Sequence, residues 1–220
     1  MGLTSHGVPT EVVLSLAKHA GASVFVEAGT FMGGTTRWAS AHFKSVFTIE
    51  LSDGLYQGFS EELRKLGNVE PLQGDSRTVL PGILPKLEGN VAVHWLDDHW
   101  SGQGTAGEHD ECPILGELLL LEGRHDDIIL IDDARLFLAA PPSPHKPDHW
   151  PTISETVDAL RKGGNDRFIQ IFDDVIFAVP NREGIRNDLI AHAQRSHRGQ
   201  LGFWQKVGVR TSKWRSRVGI

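Results

Sequence analysis

Short apolar runs alternate along this chain with longer stretches in which apolar and polar positions mix at helical spacing. Val24 to Val26, Val46 to Ile49, Val69 to Leu72, Val91 to Leu96 and Ile128 to Ile131 are short, β-branched or aromatic, and bounded by polar residues or glycine, so each predicts a strand. Between them Thr35 to Phe43, Asp53 to Leu66, Ser76 to Leu87 and Pro113 to Leu121 predict helices, with Asp53 and Ser76 as N-caps and Gly67 and Gly89 as stops. Near-continuous apolar strands separated by single helices imply parallel pairing, because the crossover helices bury both faces of the sheet. Arg167 to Phe172 and Val175 to Val179 break this rhythm: only Asp173 and Asp174 separate them, which predicts a tight antiparallel hairpin. The expected architecture is α/β, a doubly wound seven-stranded Rossmann-like sheet, mostly parallel with a C-terminal antiparallel hairpin. Residues 1–20 read as an N-terminal helix region. Ala139 to Pro151 holds five of the 11 prolines and reads as a surface loop leading into a helix near Ser154 to Arg161.

A length of 220 residues suits one domain over residues 1–220, which can bury roughly 70% of its unfolded surface without disulfides or a structural metal. Cys112 is the lone cysteine, so neither an internal disulfide nor a cysteine metal cage is available, and a reducing compartment is expected. No apolar run approaches the roughly 20 residues of a membrane span, and the opening residues lack the pattern of a signal peptide. A cytoplasmic protein without membrane contact is the expectation. The net charge of −6 argues against nucleic acid as the main partner. That charge is uneven: no carboxylate follows Asp188, whereas Arg195, Arg198, Lys206, Arg210, Lys213, Arg215 and Arg217 make residues 189–220 a basic segment, read as a solvated terminus.

In a doubly wound sheet ligands bind beyond the carboxyl ends of the strands, beside the first one. There the chain reads Glu27-Ala28-Gly29-Thr30-Phe31-Met32-Gly33-Gly34-Thr35-Thr36. Gly29 and Gly33 permit a sharp turn and close approach of a ligand, and a helix N-terminus follows. A dinucleotide turn would carry a second glycine where Phe31 stands, and that ring would crowd a pyrophosphate. Glu50 closes the second strand, where a carboxylate can grip both hydroxyls of a ribose, and Asp75-Ser76 follow the third, where an acid can accept from an adenine amino group. Together these describe an adenosine site without a pyrophosphate.

The string E-x-G-x-F-x-G-x-T with Glu50 after the next strand resembles the first motif of class I S-adenosylmethionine-dependent methyltransferases, and within them the catechol and caffeoyl-CoA O-methyltransferase type. The resemblance covers about residues 23 to 180. It implies S-adenosylmethionine as cofactor, held by Glu27, Gly29, Thr30, Phe31, Gly33, Glu50, Leu51, Asp75, Ser76 and Asp97. Glu27 and Gly29 would lie near the methionine moiety, Glu50 would hold the ribose, and Asp75 with Ser76 would lie near the adenine.

The fourth strand closes with Leu96-Asp97-Asp98-His99-Trp100 and the fifth with Ile131-Asp132-Asp133. Four carboxylates at adjacent strand ends repel one another unless some are protonated or a cation neutralises them, and oxygen ligands favour a hard ion such as Mg²⁺, with Mn²⁺ or Ca²⁺ as alternatives. The catechol-type resemblance implies a divalent metal on Asp97, Asp132 and Asp133, with Asp98 competing for the first position. The Asp-Asp pair is also similar to macrocin-type O-methyltransferases. Where the catechol type has a lysine that deprotonates the acceptor, this chain has Ser101, so the base falls to His99 or Asp98. Residues 101–112 are glycine-rich and polar and read as a solvated loop over the acceptor. His145 and His149 read as loop histidines that could line the acceptor pocket, and Trp100 and Trp150 as core or pocket wall.

The leading reading is O-methylation of a hydroxyl on a small molecule such as a catechol, natural product or sugar, assisted by a divalent metal. Metal-assisted phosphoester hydrolysis is the alternative, and it leaves the glycine turn and Glu50 without a role. A non-catalytic binding module on the same fold is the third. A homo-oligomer is open to any of them.

Overall fold

A computed structural model describes residues 7–100, 106–139 and 141–199. The seven strands are β1 (Ala22–Ala28), β2 (Ser45–Glu50), β3 (Val69–Gln73), β4 (Val91–Leu96), β5 (Ile128–Ile131), β6 (Arg167–Phe172) and β7 (Val175–Pro180), in the sheet order β3-β2-β1-β4-β5-β7-β6. The first five pair in parallel, and β7 runs antiparallel to both β5 and β6. Strand order reverses at β1 and β4, which leaves a crevice beyond their carboxyl ends. The β6–β7 hairpin turns on Asp173 and Asp174 with φ of 49° and 64°. Positive φ at both central residues matches the right-handed twist of the flanking strands, and aspartate tolerates it.

Helices α1 (Thr10–Ala20), α2 (Gly34–Ser40), α3 (Asp53–Arg64), α4 (Ser76–Ile83), α5 (Ile114–Leu120), α6 (Arg135–Leu138) and α7 (Ile153–Leu160) are followed by helical residues 183–199. Side chains alternate across a strand, so the two faces recruit different helices. Phe25, Val93, Trp95 and Phe177 pack with Leu16 of α1, Leu63 of α3 and Leu189 of the last helix. Val24 and Val26 face Leu80 and Ile83 of α4, while Leu96, Ile131 and Ile176 meet Leu118 of α5 and Leu160 of α7. Among the described residues no helix is long and apolar enough to cross a membrane.

Both expected caps move by one residue. Ser52, not Asp53, accepts from Leu55 N at the start of α3, and Asp75, not Ser76, accepts from Arg77 N at the start of α4. The expected helix from Ser76 to Leu87 divides into α4 and a 3₁₀ turn at Leu84–Leu87, where Pro85 lacks the N–H that an α-helix would use. The amino end of the sheet is fastened by Asp127, which is 1% exposed and accepts from Ala92 N, His94 Nε2 (2.7 Å) and Arg124 Nε (2.7 Å). Arg167 closes this knot by donating to the Asp127 and Arg124 carbonyls.

Candidate functional site

The turn after β1 is built on backbone freedom. Gly29 has φ +94°, and its N–H and that of Thr30 both donate to Ile49 O of β2. A Cβ at Gly29 would stand 2.2 Å from Asp97 O, so the turn lies directly against the end of β4. Phe31 is left with φ 47°, its ring half exposed, and Met32 and Leu51 are similarly exposed beside it. A bulky residue in this conformation is strained, and Glu50 holds it there: Oε2 accepts from Phe31 N and Oε1 from Ser52 N, both at 2.8 Å. Burial pushes the Glu50 carboxyl up despite these amides.

Glu27 lies beneath the turn at 1% exposure. Thr36 and Thr48 hydroxyls donate to its Oε2 at 2.5 and 2.6 Å, and Thr48 in turn meets Thr30 at 2.6 Å. Burial outweighs those bonds and raises its pKa to about 7. Glu27 is directly opposite Thr48 in the β1–β2 register. Thr48, the polar residue inside an otherwise apolar strand, was the signal in the sequence for this support, and it was missed.

At the third strand end, Asp75 is already engaged. It caps α4 and takes Arg77 Nε (2.9 Å) and Nη2 (2.5 Å), while Arg77 Nη1 reaches Asp110 at 2.5 Å. Those bonds hold the Asp75 carboxyl below its usual range. Ser76, 2% exposed, sits beneath it.

The ends of β4 and β5 bring Asp97, His99, Asp132 and Asp133 together. His99 Nε2 donates to Asp133 Oδ2 at 2.8 Å and His99 Nδ1 lies 3.8 Å from Asp97 Oδ1. The other Asp133 oxygen takes Arg135 Nη1 at 2.5 Å, and Asp132 accepts from Asp133 N. Asp133 adopts φ 54°, a left-handed conformation that aspartate tolerates. Burial works against the Asp133 carboxylate, but His99 and Arg135 overcome it and hold its pKa low. Asp97 and Asp132 are held high by burial, and Asp97 further by the charge of Asp132. Burial pulls the His99 imidazole down, and its bond to Asp133 with the surrounding carboxylates reverses that, for a net rise.

Asp98 feels the charge of His99 but lies on the side of α5. Its neighbours are Ser76 and the fully buried Glu117 of α5, and burial raises both carboxyls. The loop after Trp100 is also not uniformly solvated: Glu108, His109 and Asp110 are exposed, but Glu111 and Cys112 are buried. Burial pushes the Cys112 thiol up to about 12, which leaves it inert. Ser101 and the tail beyond residue 199 lie outside the described residues.

No protein-family profile matches this sequence, and no curated protein matches it. Solved structures do. A candidate caffeoyl-CoA O-methyltransferase from Staphylococcus aureus superposes with a TM-score of 0.56 at 12% identity, over 81% of this chain and 86% of the other. A candidate O-methyltransferase from Klebsiella pneumoniae gives 0.51 at 15% identity, over 82% and 84%. The chain has their fold, and the glycine turn and acidic strand ends stand at the crevice where such a sheet takes its ligand.

Among the described residues no set of three or more His, Cys, Asp or Glu side chains is arranged to hold a metal ion. Asp133 engages His99 and Arg135 through its two oxygens. Asp97 and Asp132 are partly exposed hard oxygen donors whose mutual repulsion a cation would relieve.

Proposed function

We propose that this protein transfers the methyl group of S-adenosylmethionine to a hydroxyl of a small molecule. The observation that carries the reading is the contact between the Gly29 turn and the Asp97 backbone, which brings the turn after β1 and the His99–Asp133 pair to one crevice. Glu27 and Gly29 would lie at the methionine moiety, with Thr30, Phe31 and Gly33 shaping the turn around it. Glu50 and Leu51 would meet the ribose, and Asp75 with Ser76 the adenine edge. Asp97 would face the cationic sulfonium region.

His99 is the base in this reading. Asp133 accepts from its Nε2–H at 2.8 Å and so orients the imidazole in the crevice. As the S–CH₃ bond breaks and the O–CH₃ bond forms, the acceptor's hydroxyl proton passes to His99, and a neutral thioether leaves. Holding both reactants at one crevice supplies much of the rate. A divalent ion such as Mg²⁺, held by Asp97 and Asp132, would make the acceptor hydroxyl more acidic.

Calorimetry with S-adenosylmethionine, with and without Mg²⁺, followed by a labelled-methyl screen of catechol, sugar and natural-product hydroxyls, tests the proposal. The expected result is cofactor binding in the absence of acceptor, and methyl transfer that His99→Gln lowers by about 10²–10⁴-fold with cofactor affinity retained. Mg²⁺ binding without affinity for S-adenosylmethionine would favour the phosphoester hydrolase reading instead.

A further inference from the structure

Glu111 is 1% exposed, and nothing in the chemistry above uses it. Its carboxylate accepts from three groups of the proline-rich loop: Trp150 Nε1 at 2.9 Å, His145 Nδ1 at 3.1 Å, and Lys146 N at 3.1 Å to each oxygen. Its carbonyl accepts from Trp100 N at 2.8 Å. One residue thus joins the segment after β4 to the loop before α7. Burying a carboxylate is costly unless its oxygens are bonded, and here they are, by donors that fix where the loop sits.

What this fixes is a wall beside His99. The Trp150 ring lies 5.3 Å from the His99 ring at 60°, and is flanked by Phe137 at 5.6 Å and His145 at 5.5 Å. His145 also meets Trp100 at 5.3 Å. His99 is therefore bounded by the Asp133 carboxylate and by an indole whose N–H is anchored on Glu111. An edge-on aromatic contact of this kind restricts ring rotation, and the anchored N–H restricts the indole in turn.

We infer that Glu111 is a positioning residue for His99: it seats Trp150 against the imidazole and so sets the ring's orientation in the crevice. The inference rests on the role proposed for His99, but its geometry can be measured without any methyl acceptor. The test uses the full chain and the imidazole signals of His99 in proton–nitrogen correlation spectra, assigned by their loss in His99→Gln. Trp150→Leu defines the position of those signals without the indole. Glu111→Gln is expected to move them toward that position while binding of S-adenosylhomocysteine is unchanged. Trp150→Phe, which keeps a ring but removes the anchored N–H, is expected to move them as well, and to abolish any further effect of Glu111→Gln. It also serves if Glu111→Gln does not fold. His99 signals that stay at their wild-type position in Glu111→Gln, or in Trp150→Phe, overturn the inference. So does an effect of Glu111→Gln that persists in the Trp150→Phe background. If the wild-type protein fails to bind S-adenosylhomocysteine, the methyl-transfer reading falls, while the spectra still decide the role of Glu111.

Discussion

Replacing Gly29 by alanine probes the one contact on which the site depends. The added Cβ would stand 2.2 Å from Asp97 O, 2.7 Å from Asp97 C and 3.1 Å from Asp98 N. All three are backbone atoms, so no side chain can rotate out of the way. Two costs combine. Forcing alanine into φ +94° costs about 1–3 kcal/mol, and separating two packed backbones costs about 1–3 kcal/mol more. The sum of about 2–6 kcal/mol corresponds, at roughly 2–4 °C per kcal/mol for a chain of this size, to a fall in Tm of roughly 4–24 °C. Gly21 provides the control, since it has φ +72° but nothing within 4 Å of its would-be Cβ. Gly21→Ala therefore carries only the backbone cost, about 1 kcal/mol. Thermal and urea unfolding of both variants separate strain from clash. Calorimetry with S-adenosylmethionine should show lost affinity for Gly29→Ala alone, because relieving the clash moves Asp97. Equal destabilisation of the two variants would refute the close approach of the β1 turn to β4.

Two further outcomes follow from charge. Glu27 has a pKa of about 7 in the unliganded protein, and a cationic cofactor favours its carboxylate, so affinity should rise roughly tenfold from pH 6 to pH 8. Glu27→Gln should flatten that part of the calorimetric profile, and an equal slope in the variant would rule Glu27 out. At the other end of the sheet, burial works against Asp127 ionising, but His94, Arg124 and the Ala92 amide outweigh it and hold its pKa low. A depressed carboxyl stabilises the fold above its unfolded value of about 3.9 and loses that contribution as pH falls through the lower folded value. Asp127→Asn should thus be less stable by about 3–5 kcal/mol at neutral pH in urea titrations, with the gap narrowing on acidification. A constant gap would mean that the carboxylate charge is not what matters there.

The strands, their parallel order and the closing hairpin were legible in the sequence because each depends on local pattern. An apolar run of strand length, a helix-length spacer and a two-residue Asp-Asp turn leave few alternatives once burial is required. The residues around the crevice were legible for a related reason: in this topology whatever follows β1, β2, β3, β4 and β5 arrives at the same edge, so Glu27, Glu50, Asp75, Asp97 and Asp132 could be grouped by counting. Direction and partnership could not be counted. Asp97 and Asp98 are neighbours in the chain, yet successive side chains leave a strand end on opposite sides. Asp97 lies beside Asp132, and Asp98 beside Ser76 and Glu117, while both feel the charge of His99. Asp133 had a place in the motif, but only the packed structure shows its oxygens turned to His99 and Arg135. Glu111 had no local pattern at all. Its donors come from residues 145–150, more than thirty positions away, and contacts between distant loops exist only after the sheet has brought those loops together.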